Sequence, residues 1–250
     1  MEFDLTFYAF AIPAVIFAGI SKGGFGSGAA FASAAILAVI VPPGAAIGVM
    51  LPLLMLMDVG AIRAYWGQWD WYQSKVAIIG GVPGVALGAA LYSVANPDVF
   101  RFLIGAISVG FVFWHYANIR GWVKKAAQPI GTLGGLIAGA TGGLTSFISH
   151  AGGPPVAVYL LSHPVTKTSF QASTVLIFTV INIAKVPPYA ALGIFTSETL
   201  FAALMLSPLA WIGVKAGVRL HHIVPEPLFF RITYILLLIT GTKLIWDALT

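Results

Sequence analysis

Cysteine is absent from this chain and charge is scarce, and the two shortages together exclude most of what a 250-residue protein can be. Without cysteine there are no disulfides and no thiolate metal centres, and nothing about the redox compartment can be read. Charged residues make up only 8% of the chain, against roughly a quarter in soluble domains. No polar block is long enough to fold by itself, so residues 1–250 read as a single transmembrane domain. A cleavable signal peptide is not expected either, because Glu2 and Asp4 stand where such a peptide needs positive charge. The net charge of +5 does not indicate nucleic acid, since the basic residues are scattered at the ends of apolar segments, where they read as topology signals.

What is present is apolar: 59% of the residues, with a mean hydropathy of +0.94. Uninterrupted apolar spans run at about 44–62, 76–95, 99–116, 169–185, 199–217 and 228–246, each able to cross roughly 30 Å of hydrocarbon. Two further stretches, 5–41 and 130–161, are interrupted by Ser21-Lys22-Gly23-Gly24-Phe25-Gly26-Ser27-Gly28 and by the glycine-rich run from Gly142 to Pro155. Unwound backbone at membrane depth is tolerated only where protein buries it or where it lines a cavity, and paired interruptions in two halves of a chain point to a transporter's binding site. The pieces beside each break are expected to be half-length helices of roughly 9 to 14 residues that reach the midplane. The fold class is therefore an all-α integral membrane protein, with about six full transmembrane helices and two broken or re-entrant segments.

The halves echo one another. Ala18-Gly19 followed by Gly23-Gly24 matches Ala138-Gly139 followed by Gly142-Gly143, and glycines 80, 84 and 88 match 213 and 217. A duplicated unit is expected, with repeat one at about 5–120 and repeat two at about 129–249. If both broken stretches are re-entrant, each repeat crosses three times and the repeats are inverted. Arg63, Lys75, Arg120, Lys124, Lys125, Lys167, Lys215, Arg219 and Arg231 then share the cytoplasmic side, and only Arg101, Lys185 and Lys243 lie outside. If both stretches cross instead, the count evens to seven against five, so the positive-inside rule favours inversion.

The breaks hold the candidate chemistry. Lys22 reads as the only basic residue far from a membrane edge, where an ionisable group costs at least about 2.5–3.5 kcal/mol and needs a partner. That partner is an anionic substrate, or else Asp58, the one acid well inside a neighbouring span; snorkelling to a surface is the third alternative. Ser21, Gly23, Gly24, Gly26 and Ser27 surround the lysine, with Ser27 placed to begin the next half-helix and aim its N-terminus at an anion. In the second break Gly152-Gly153-Pro154-Pro155 reads as a helix start, and Thr145, Ser146, Ser149 and His150 stand before it on unwound backbone. These side chains either bind substrate or satisfy freed backbone groups. His150 is the proton-coupling candidate, because an imidazole titrates near physiological pH. Asn182 presents its amide either to the cavity or to a neighbouring helix. Trp66, Trp69, Trp71 and Tyr72 read as an interfacial aromatic belt, and His221 with His222 lacks a third ligand for a metal.

At these residues the chain resembles the sulfite exporter TauE/SafE family, also called the 4-toluene sulfonate uptake permease family. The resemblance rests on residues 21–28, on 53–63 followed by Trp69-Asp70-Trp71, on Gly84-Val-Ala-Leu-Gly88, and on His150-Ala-Gly-Gly-Pro-Pro155 leading to Tyr159-Leu160-Leu161. It implies a multi-pass protein of the bacterial inner membrane that exports sulfite or organosulfonates. The expected function is a secondary carrier working by alternating access with proton coupling, whose partners are a small anion and the lipid bilayer, with homo-oligomers left open. No cofactor, no metal and no nucleic acid enter this reading. The alternatives are a passive anion channel and an intramembrane enzyme using His150 with Ser146 or Ser149, against which stands the lack of a nearby carboxylate to orient the histidine.

Overall fold

The computed structural model describes the backbone of residues 4–25, 31–122, 129–220 and 226–250, and the side chains of these residues except 226–230, 232 and 233. Ten α-helices follow one another: α1 (Leu5–Gly24), α2 (Phe31–Ile40), α3 (Pro43–Ala64), α4 (Trp71–Val94), α5 (Pro97–Ile119), α6 (Thr132–Ser149), α7 (Gly153–Leu161), α8 (Lys167–Ala191), α9 (Ser197–Leu220) and α10 (Glu226–Leu249). Local chemistry sets several starts: the side chains of Asp4, Asp70, Asn96 and Thr166 each accept a hydrogen bond from an N–H in the first turn that follows. Prolines open α3, α5 and α7, where their missing N–H costs nothing.

Among the described residues, α1, α3, α4, α5, α8 and α9 are long and apolar enough to cross a membrane. The chain is thus an all-helical, multi-pass membrane protein. One of these spans corrects the sequence reading. α1 is 20 residues long and stays helical through Ser21, Lys22, Gly23 and Gly24, so it is neither half-length nor unwound at the lysine. α6 likewise runs 18 residues through Thr145, Ser146 and Ser149, leaving only His150, Ala151 and Gly152 outside helix. Glycine alone is too weak a helix breaker, at about 1 kcal/mol, to unwind a segment whose backbone has no water to turn to. Gly26 and Ser27 lie outside the described residues, as do Lys124, Lys125, His221 and His222.

A second correction concerns Lys185. The sequence places it at the outer end of a span, but α8 continues through Pro187 and Pro188 to Ala191 and holds Lys185 fully buried. Lys22 is therefore not the only lysine deep in the protein. The charges left on the expected outer side are Arg101 and Lys243.

Both short helices double back. The Ser33 hydroxyl on α2 donates to the Ala14 carbonyl, halfway along α1, over 2.7 Å. α7 returns along α6, with Val156 against Gly142 and Tyr159 against Gly135, and the Ile130 N–H donates to Ser162 Oγ over 3.0 Å. The second broken stretch therefore enters and leaves side by side, as a hairpin.

Partners are exchanged between the halves: α1 packs along α9, and α6 packs along α4, while α3 meets α8 and α5 meets α10. The glycines that echo in sequence form the two exchanged seams. A Cβ on Gly19 would lie 2.8 Å from Gly213 Cα, and one on Gly23 or Gly24 would run into the Val214 or Gly217 carbonyl. In the other seam, Gly84 faces the Ala140 carbonyl and Gly143 faces the Gly81 carbonyl at the same close quarters. With lipid as apolar as leucine, such backbone-to-backbone approach is what drives helix pairing. What approaches Gly23 and Gly24 is thus another helix.

The seam predicts an inverted sign for a normally helpful substitution. Alanine is favoured over glycine in a helix by about 1 kcal/mol, so Gly110→Ala, which meets open space, should raise the unfolding midpoint in detergent or leave it unchanged. Gly84→Ala should lower it, because overpacking against rigid backbone costs about 1–3 kcal/mol or more. Equal midpoints for the two variants would contradict the seam.

Candidate functional site

Four helices bring their polar residues to one buried cluster. Lys22, near the end of α1, reaches α3, where its Nζ lies 2.8 Å from Asp58 Oδ1 with both side chains 2% exposed. The contact is ionic in character, since Oδ1 receives no well-directed hydrogen bond. Asp58 Oδ2 accepts from Asn182 Nδ2 on α8 over 2.7 Å. Of the three alternatives for Lys22, the pair with Asp58 is what the structure holds, and the Asn182 amide is directed at the same carboxylate.

One turn on from Asn182, and so on the same face of α8, Lys185 points at the end of α6. Its Nζ donates to the Ser146 carbonyl at 3.2 Å and to Ser146 Oγ at 3.1 Å, and lies 2.8 Å from His150 Nδ1. His150 Nε2 lies 3.3 Å from the Ile47 carbonyl of α3. A carbonyl can only accept, so Nε2 carries a proton, which leaves Nδ1 to accept an N–H from Lys185. Lys185 pairs with no carboxylate among the described residues. Lys22, Lys185 and His150 thus set three basic side chains around the single carboxylate of Asp58, buried where charge is most costly.

The backbone at His150 is strained to make this possible. Its φ of 57° makes it the one described non-glycine residue in the left-handed region, a position at a helix end that glycine usually fills. Such strain persists where the surroundings hold it and is a mark of functional sites. Ser146, one turn earlier, shares the His150 face. Gly152 packs against Ser146, and α7 starts beside it with Pro154 and Pro155 in its first turn, as the sequence indicates. Thr145 and Ser149 do not join the cluster: their hydroxyls donate back to carbonyls at 141 and 145. Ser21 is buried close to Lys22 in sequence. Gly153 begins α7.

Hydrogen bonds and aromatic rings flank the cluster on both sides. On one side, the Tyr65 hydroxyl donates to the Gly23 carbonyl at 2.8 Å and Gln171 Nε2 to the Lys22 carbonyl at 2.9 Å, while Tyr159 bonds Gln73. On the other, Phe147 sits edge-on to Tyr189 and to Tyr92, and the Tyr189 hydroxyl donates to the Phe147 carbonyl at 2.9 Å. Beyond this aromatic layer a cavity of ≈ 370 Å³ opens, lined among others by Pro43, Gly44, Tyr92, Phe100 and Ile194. Its floor at Gly44 is one helical turn from Ile47, the residue that holds His150.

Sequence reasoning missed Lys185. The signal was available, since a lysine one turn from a polar asparagine inside an apolar span is costly wherever it sits; the adjoining prolines disguised it as a span end. The four tryptophan-region aromatics are largely outward: Trp66, Trp71 and Tyr72 are exposed and Trp66 stacks edge-on with Trp69, which suits an interfacial belt.

The family model of the sulfite exporter TauE/SafE family matches residues 11–244 of the 250-residue chain. The chain belongs to this family of membrane transporters. No curated protein and no solved structure matches it.

The buried pair gives a stability prediction. Asp58→Leu leaves the Lys22 charge uncompensated and should cost about 3–5 kcal/mol, whereas Lys22→Met together with Asp58→Leu should regain more than half of that loss. Unfolding midpoints of purified protein in detergent measure both, and a double variant no more stable than the single one would show that the pair is not the coupled unit.

Proposed function

We propose that the protein is a secondary carrier that exports small sulfur-containing oxyanions such as sulfite or organosulfonates across the bacterial inner membrane, by alternating access between two inverted halves. One observation carries this reading: a buried cluster at the junction of both broken stretches holds three basic side chains and a single carboxylate. A charge left uncompensated in a membrane interior marks the path of a counter-ion. The seat lies where Ser146 and His150 of the second hairpin face Lys185, and Lys22 with Asp58 forms the neutral wall on the α1 side.

The flanking contacts on both sides support a carrier over a channel, since a carrier must be able to seal its substrate from each compartment in turn. Opening the aromatic layer of Tyr92, Phe147 and Tyr189 would join the seat to the outer vestibule, and parting Tyr65 and Gln171 from the end of α1 would join it to the other side. The enzyme reading gains no support at His150: its Nδ1 partner is an ammonium, whereas a hydrolytic histidine needs a carboxylate there to orient it and stabilise its positive charge. Proton coupling runs through the same imidazole, which gains an open Nδ1 whenever Lys185 turns away from it.

Purified protein reconstituted in liposomes and given labelled sulfite, with and without an imposed pH gradient, tests the reading. Saturable uptake that the gradient accelerates is the expected result. A flux that rises linearly with sulfite and ignores the gradient would identify a passive channel instead.

A further inference from the structure

Two ammonium groups lie in the cluster, and they are not equivalent. We infer that Lys185, with Ser146 and His150, takes the negative charge of the transported oxyanion, that Lys22 does not, and that the seat is matched to a single negative charge. The inference rests on the reading of the chain as an anion carrier.

The argument is one of what each lysine would have to give up. Lys22 lies against Asp58, whose second oxygen is already held by Asn182. Turning Lys22 toward an arriving anion would bare a buried carboxylate beside a second negative charge, at a dielectric where like charges repel strongly. Lys185 gives up only neutral acceptors: a carbonyl, a hydroxyl and an imidazole nitrogen. Exchanging one of these for an anionic oxygen replaces an ion–dipole contact with a charge–charge one, and hydrogen bonds with charge on both partners are among the strongest in proteins. Ser146 Oγ accepts from Lys185 and keeps its own hydrogen to donate, so the same oxyanion can be held at two oxygens.

Counting charge sets the ligand class. Lys22 and Asp58 cancel, and a bound oxyanion is met by the single charge of a protonated Lys185 beside a neutral His150, so a monoanion leaves the buried cluster neutral. A dianion would leave it negative. A sulfonate or hydrogensulfite group, with one charge spread over three oxygens, therefore fits, and sulfate at neutral pH does not.

Uptake and binding at neutral pH with ethanesulfonate as a fixed monoanion and sulfate as a dianion test the inference. Wild-type protein should prefer ethanesulfonate by about tenfold or more. Lys185→Gln should lose about 100-fold in ethanesulfonate affinity, the scale expected for removing one partner of a buried charged contact, and Lys185→Arg should recover a large part of it. The Lys22→Met/Asp58→Leu variant should still gain thermal protection from ethanesulfonate. Should Lys185→Gln fail to fold, Lys185→Arg carries the measurement, because a changed preference between ethanesulfonate and sulfate is read within one variant. Ethanesulfonate protection lost in the Lys22/Asp58 variant and retained in Lys185→Gln would overturn the inference, as would a wild-type preference for sulfate. Wild-type protein that moves neither these anions nor sulfite would instead overturn the carrier reading itself.

Discussion

Two lysines and one aspartate are buried together in a protein that has only eight acidic residues in all, and this imbalance is the constraint on which the rest of the site depends. A hydrocarbon interior admits an ammonium only if something answers it. For Lys22 the answer is Asp58, and for Asp58's other oxygen it is Asn182, so α1, α3 and α8 are tied at one level. For Lys185 the answer is dipolar: the Ser146 carbonyl and hydroxyl, and an imidazole whose far nitrogen is anchored on Ile47. The strained backbone at His150 follows from the same demand, since a right-handed residue at the end of α6 would carry the helix on and send the side chain elsewhere.

Much of this was legible in the sequence, and the parts that were not failed for identifiable reasons. Hydropathy located the spans that became α3, α4, α5, α8 and α9, because length and composition alone set them. The proline-led start of α7 was readable from Gly152 to Pro155, and Asp58 was nameable as a partner for Lys22 because it is the one acid deep in a span. The glycines misled. Gly23, Gly24, Gly142 and Gly143 suggested unwinding, yet they remain helical and serve close packing, a distinction that depends on which helix lies opposite and is invisible in a single strand of sequence. The Thr145 and Ser149 hydroxyls could bind substrate or satisfy backbone groups, and they bond back to carbonyls of their own helix. Lys185 was hidden by Pro187 and Pro188, which normally end a helix but here sit inside one.

The exchanged seams group the helices into pairs. α1 is held to α9, and α6 to α4, by glycine contacts too close to slide over a bulky side chain, so each pair forms one packed body. The contacts of the cluster tie these bodies to α3 and α8, and α3 to α8. Lys22 joins the α1–α9 body to α3, His150 joins the α4–α6 body to both α3 and α8, and Asn182 joins α8 to α3. A ligand can shift such an arrangement only by binding one state better than another. An anion that draws Lys185 away from His150 weakens one link between α8 and the α4–α6 body, while the Tyr189–Phe147 and Lys22–Asp58 links stay in place. Phe147, and with it the aromatic layer beneath the vestibule, stands next to Ser146 on α6, so the residue that takes the Lys185 hydrogen bonds and the layer that covers the cluster share one helical turn.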